Sequence, residues 1–194
     1  MSIEEEFGVK IVAESAMCPI CGKDTVVVSK REHMGGDLEG VTEIFNQCRS
    51  CSYCASDVFP SAGGEPKRYT FRVRSSKDLD VRIVKSSTAT VHIPELGIDI
   101  EPGPASKGYI TNVQGVLERV KDAISMARSW ETTDEGRTRC DEKLASIDTI
   151  IDGGEFSPFH LILEDIFGNC LIIAKQVKAA ALSPEEIDRI ATQG

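Results

Sequence analysis

The chain has 194 residues, 41% of them hydrophobic, which is enough for one ordinary core or for a small module joined to a mid-sized domain. A formal net charge of −9 repels phosphate backbones at long range and makes nucleic acid an unfavoured partner. No apolar run approaches the roughly 18 residues that span a bilayer, and the opening "MSIEEEFGVK" is acidic where a secretory leader is basic, so a cytoplasmic protein without membrane association is expected.

Five of the seven cysteines fall between residues 18 and 54. In a reducing compartment, paired Cys-x-x-Cys motifs serve as metal ligands more often than as disulfides. The spacing Cys-x2-Cys-x26-Cys-x2-Cys predicts two tight knuckles, each offering two sulfurs, that together close a tetrahedral zinc site. Between them "TVVVSKRE" and "VTEIFNQ" read as strands joined by the Gly-rich "HMGGDLEG", the central hairpin of a zinc ribbon over residues 1–60. One thiol is surplus, because spacing alone permits either Cys48 with Cys51 or Cys51 with Cys54. Phe45, an aromatic three residues before a knuckle, favours Cys48 and Cys51 by supporting the site from the core, with Cys54 a nearby free thiol. Four protein ligands leave no open position for a reacting water, so a single structural ion is expected. Cys140 and Cys170 read as core residues.

"SAGGEP" at 61–66 concentrates turn-forming residues and marks the start of a second unit, residues 61–194. From Arg68 to Ile110 apolar and polar residues alternate in short runs, as in Phe71 and Val73 against Arg72 and Arg74, which predicts the strands of a sandwich or barrel. The period lengthens after Thr111. Val113, Val116, Leu117, Val120, Ile124 and Ala127 recur at helical steps, and a second face of Cys140, Leu144, Ile147 and Ile151 ends at Gly153-Gly154. With the short "ETTDEGR" between them, residues 111–153 form an antiparallel helical hairpin. "FHLILEDIFGNCLIIA" then reads as a β-hairpin turning at "DIFGN". A short helix over 183–192 opens with Ser183 as N-cap and Pro184 at its first position.

Residues 84–120, "VKSSTATVHIPELGIDIEPGPASKGYITNVQGVLERV", resemble the ZPR-type zinc-finger domain family. "CPICG" is similar to that family's first knuckle, "CRSCSYCASDV" to its second, and "SPFHLILEDIFGN" to its late strand pair. The resemblance places the zinc ligands on Cys18, Cys21, Cys48 and Cys51. Ser52 stands where the family has Gly, and "GGDLEG" lacks the family's Pro-aromatic pair. The implied fold is mainly β with helices: a four-cysteine zinc ribbon followed by a double-stranded β-helix, a jelly-roll relative, with the helical hairpin inserted. The resemblance also implies a non-enzymatic interaction module, a binding or folding factor for translation elongation factor one-alpha. Eukaryotic members carry this module twice; this sequence carries it once, as archaeal relatives do.

Two rival functions are weaker on the residues. An enzyme on the barrel would need clustered ligands, yet His33, His92 and His160 lie in separate segments without an H-x-H pair, and neither a phosphate loop nor a nucleophile elbow occurs. A nucleic-acid-binding zinc ribbon of translation or transcription finds support in residues 67–85, where seven cations face two carboxylates. That segment reads first as a solvated strand face and next as a dock for an acidic protein, with Arg72 and Arg74 as candidate contacts. Met126 and Trp130, on a second row beside the buried face of the first helix, are candidates for a client-contacting patch at the hairpin tip.

Overall fold

The computed structural model describes residues 9–61 and 64–193. Four strands, β1 (Val9–Met17), β2 (Asp24–Glu32), β3 (Val41–Cys48) and β4 (Cys54–Pro60), form one antiparallel sheet in sequential order. The next eight are β5 (Lys67–Val73), β6 (Arg82–Lys85), β7 (Thr90–Ile93), β8 (Ile98–Ile100), β9 (Tyr109–Asn112), β10 (Phe159–Asp165), β11 (Leu171–Ile173) and β12 (Lys178–Ala181). They divide between a five-stranded sheet ordered β12-β5-β10-β7-β8 and a three-stranded sheet ordered β11-β6-β9. Helices α1 (Val113–Trp130) and α2 (Asp134–Ile151) are inserted between β9 and β10, and α3 (Pro184–Gln193) closes the chain.

Strand alternation builds the core. Tyr69, Phe71 and Val73 of β5 are buried and stand opposite Leu163, Leu161 and Phe159 of β10, while Arg72 between them is exposed. This inner face packs with Ile83 of β6 and Ile172 of β11 from the smaller sheet into one cluster. Each fully buried side chain of this size contributes about 1.5–3 kcal/mol, so the two faces hold the sheets together without a metal.

The apolar anchoring of the helical hairpin is confined to its base half, and Lys143 of α2 adds a polar tie by donating to the Leu96 carbonyl at 2.6 Å. Asn112 caps α1 by accepting the Gly115 N–H at 2.9 Å. Val113, Val116, Leu117 and Val120 are buried in the barrel core, whereas Ile124 is half-buried and Ala127 exposed. On α2, Ile147 and Ile150 are buried, and Cys140, Leu144 and Ile151 are only half-buried. The apolar stripe therefore serves the barrel rather than the full length of a helix–helix seam. Beyond the base the helices are joined by Lys121 with Asp148 and by Arg128 with Asp141, Nε to Oδ1 at 2.5 Å.

The strand pair expected to turn at "DIFGN" does not form a hairpin. β10 pairs with β5 and β7, β11 pairs with β6, and the turn carries the chain from one sheet to the other. Gly168 makes the crossing possible: its φ is +67°, and a Cβ there would stand 2.2 Å from the Glu65 carbonyl oxygen.

Charge placement also differs from a uniformly basic strand face. Arg68 donates to Glu164 at 2.6 Å and to Glu186 at 2.7 Å, and Lys85 is buried. Arg74 lies 3.8 Å from Asp78, and Arg72 points outward. Glu186 also forms the capping box of α3, accepting the Ser183 N–H at 2.8 Å while its own N–H donates to Ser183 Oγ. The Ser183 N–H first, and Arg68 next, hold the Glu186 carboxyl below its ordinary value of 4.5. A depressed folded pKa adds stability above the ordinary value, and that stability is lost as pH falls through the depressed one. Amide resonances of α3 should therefore report loosening as pH drops below about 4.5, and Glu186→Gln should remove most of that pH dependence; an identical titration in the variant would reassign the effect.

The four-stranded sheet meets the barrel at a packed junction. Val41 of β3 and Val58 of β4 are buried against Val84 of β6. Gly108 donates its N–H to the Ser56 carbonyl at 2.8 Å and accepts the Ser56 hydroxyl at 2.8 Å. A Cβ at Gly108 would lie 2.4 Å from Asp57 Oδ1, so only glycine allows this approach.

Candidate metal centre

The first knuckle precedes β2, where the Gly22 N–H donates to the Cys18 carbonyl at 2.9 Å and Gly22 itself sits at φ +70°. The second follows β3, closed by the Cys48 N–H on the Tyr53 carbonyl at 3.0 Å. Antiparallel pairing of β2 with β3 sets Val26 opposite Cys48 and so brings the two knuckles together. The Sγ atoms of Cys18, Cys21, Cys48 and Cys51 all lie within 4.8 Å of one another. Cys18 to Cys51 is 3.6 Å and Cys21 to Cys48 is 3.8 Å. Zinc–sulfur bonds of about 2.3 Å in a tetrahedron imply a sulfur–sulfur edge of ~3.8 Å, so the donor set fits one zinc ion and encloses it on all four sides.

Local donors prepare the sulfurs unequally. Thr25, whose hydroxyl lies 3.2 Å from Cys48 Sγ, is the main reason the Cys48 thiol is lowered to about 6, with the Ser50 N–H at 3.3 Å assisting. At Cys51 the Tyr53 N–H pulls downward, but burial and the other three sulfurs outweigh it, and the thiol is pushed up to about 12. Without a cation, four crowded sulfurs cannot all ionise; a zinc ion supplies the charge that lets them.

Cys54 stands apart. It begins β4, is exposed, and accepts from Lys107 Nζ at 2.8 Å instead of facing the other sulfurs. The role expected of Phe45 is not observed. The residues packed around Cys18, Val26 and Cys48 include Ala16, Val28 and Tyr53, whereas Phe45 lies with Arg31, whose guanidinium carbon is 6.0 Å from its ring. Residues three apart on a strand point to opposite faces, which puts Phe45 on the far side of β3 from Cys48. Tyr53 and Thr25 are the supporting residues that the spacing did not reveal. Beside the knuckle, Met17 and Ile20 are exposed.

Each histidine is tied to carboxylates rather than gathered into a site. His33 is 3.0 Å from Glu43, His160 2.5 Å from Glu95, and His92 2.6 Å from Asp99 with Glu164 at 3.4 Å. Among the described residues, the four cysteines are the one set of metal-binding side chains that converges on a point. Cys170 is fully buried against Ser86, as expected of a core residue, and its burial raises the thiol to about 12. The other candidate residues are dispersed: Arg72 lies on β5 and Arg74 just past its end, Met126 and Trp130 on the distal half of α1. Met126 is 55% and Trp130 73% exposed.

A closed four-sulfur ribbon joined to a jelly roll defines a structural zinc protein with an inserted helical hairpin. Residues 77–194 match the family model of the ZPR1 jelly-roll domain. The chain is 37% identical over 174 residues to an uncharacterized ZPR1-like protein of Methanocaldococcus jannaschii, covering 89% of this chain and 87% of that one. It is 38% identical over 177 residues to a ZPR1-like protein of Pyrococcus horikoshii, covering 89% and 78%. It also matches the zinc finger chaperone zpr1 of Schizosaccharomyces pombe at 35% identity, over 61% of this chain and 26% of that protein. The chain belongs to the ZPR1 zinc-finger family. Among the described residues no helix is long and apolar enough to cross a membrane.

Proposed function

We propose that this chain is a cytoplasmic, non-catalytic protein-binding module, held in shape by one zinc on Cys18, Cys21, Cys48 and Cys51, that assists the folding or assembly of translation elongation factor one-alpha. The observation that carries the reading is the exposed Trp130 with Met126 on a hairpin whose apolar anchoring ends near Ile124. Tryptophan is enriched at binding hot spots, and methionine adapts to irregular or partly folded surfaces. The chaperone name of the fission-yeast relative supports a protein client. Arg72, on the outer face of the five-stranded sheet, and Arg74, just past the end of β5, form a second candidate contact that would favour an acidic client surface.

Trp130→Ala should weaken binding to purified elongation factor one-alpha by at least ~2 kcal/mol while leaving the melting temperature unchanged, since the side chain supports little of the core. Calorimetry of both proteins with the client checks this. Unaltered affinity in a folded variant would remove the hairpin tip from the interface, and salt-sensitive retention of RNA instead of the client would turn the reading toward nucleic acid.

A further inference from the structure

A cavity of about 250 Å³ lies between α1 and the loop at 101–108, at the foot of the hairpin. Lys85, Lys107 and Arg119 line it, together with Ser106 and Tyr109, and no carboxylate does. Val91, Ile100, Val116, Val120 and Ala123 complete the wall, so the three cations are the only charged groups among the lining residues, which is unexpected in a chain of net charge −9. Each is held in place by a neutral group. Lys85 Nζ donates to the Ser86 carbonyl at 2.9 Å, Lys107 Nζ donates to Cys54 Sγ, and Arg119 Nη1 donates to the Gly115 carbonyl at 2.9 Å. Among the described residues none of the three has a carboxylate at ion-pairing distance.

Lys85 is only 5% exposed, and an ammonium this deep normally has a counter-ion. Burial holds the Lys85 ammonium below its ordinary pKa, and the negative charge of Asp165 and Asp57 behind it opposes this without either carboxylate pairing with it directly. Asp57 accepts from the N–H and hydroxyl of Ser87, and Asp165 from Ser86, Thr88, Phe167 and Asn169. On the cavity side Tyr109 lies between cations, with Arg119 4.1 Å and Lys85 5.7 Å from its ring centroid. Burial pushes the Tyr109 phenol up to about 12 even though Arg119 opposes it, so it stays a neutral donor rather than a competing anion. A cavity below the size of drug-like sites suits a compact ligand.

We propose that this cavity binds one phosphate-class oxyanion, inorganic or as the phosphate of a small molecule, through the side chains of Lys85, Lys107 and Arg119. Two ammonium groups and a guanidinium offer charge-assisted donors to an oxyanion, and phosphate carries more acceptor oxygens and more negative charge than a carboxylate. The zinc-loaded full chain should be titrated with inorganic phosphate at constant ionic strength, against chloride and acetate, following the arginine Nε–H resonances. Saturable shifts at Arg119 with phosphate are expected. Arg119→Gln and Lys107→Gln, both at exposed positions and so compatible with folding, should each weaken binding about tenfold, while Arg72→Gln on β5 leaves it unchanged. Shifts that follow ionic strength alone, or Arg119→Gln binding as the parent does, would overturn the site. Acetate binding as tightly as phosphate would overturn the phosphate assignment and point to the carboxylates of an acidic polypeptide.

Discussion

Removing the zinc, by chelation or by Cys48→Ser, is expected to unfold the zinc end of the four-stranded sheet, while Cys54→Ser leaves metal content at one ion per chain. The sheet's own apolar core around the knuckles amounts to Cys18, Val26 and Cys48, with a few half-buried neighbours. Ordering each residue costs about 1–2 kcal/mol of backbone entropy, and burial of three side chains at about 1.5–3 kcal/mol apiece does not offset that for two knuckles and their strands. A closed structural zinc contributes ~10–16 kcal/mol of apparent free energy at neutral pH and decides the balance. The opposite end of the sheet, where Val41 and Val58 pack on Val84, is expected to stay docked on the barrel. Metal analysis with amide exchange of both variants checks this: zinc lost from Cys54→Ser and kept by Cys48→Ser would shift the ligand set by one step. Because protons compete with zinc for the four thiolates, acidification should release the metal, and buffering back above neutrality with zinc present should restore the exchange pattern.

The metal centre was legible because ligation imposes a spacing that little else requires, and the helical hairpin because a 3.6-residue period over two stretches is hard to produce otherwise. What stayed hidden was non-local. "DIFGN" has good turn composition, but whether its flanking strands pair with each other depends on β5, β6 and β7, each more than seventy residues earlier in the chain. Phe45 was misplaced by counting three residues along a strand as though they shared a face. Arg68 and Lys85 read as surface charge because Glu164, Glu186 and the fold around Ser86 are distant in sequence. The exposed Met17 and Ile20 beside the knuckle gave no signal either, since a short apolar run before a cysteine pair reads equally as core.

Asp165→Ala is expected to destabilise the barrel by about 3–5 kcal/mol, one of the larger effects available outside the metal centre. The side chain is fully buried at the end of β10 and makes a polar knot between the two sheets. One oxygen accepts the Ser86 hydroxyl at 2.9 Å and the Asn169 N–H at 2.6 Å; the other accepts the Thr88 hydroxyl at 3.1 Å and the Phe167 N–H at 3.0 Å. It therefore shapes the crossing turn of the second sheet and holds the β6–β7 connection at the same time. Truncation strands four donors where water has little access, and each costs about 1–3 kcal/mol unless it finds another acceptor; partial rearrangement of the two hydroxyls keeps the total below the full sum. Asp165→Asn should recover only part of the loss, because its amide nitrogen presents donors to donors. For a chain of this length the alanine variant should melt on the order of 10 °C lower. Glu95→Ala, which removes the exposed partner of His160, should cost no more than about 1 kcal/mol and serves as the control. A melting temperature for Asp165→Ala within a degree or two of the parent would mean that the buried network is dispensable, and that apolar packing of β5 and β10 alone sets the stability of the barrel.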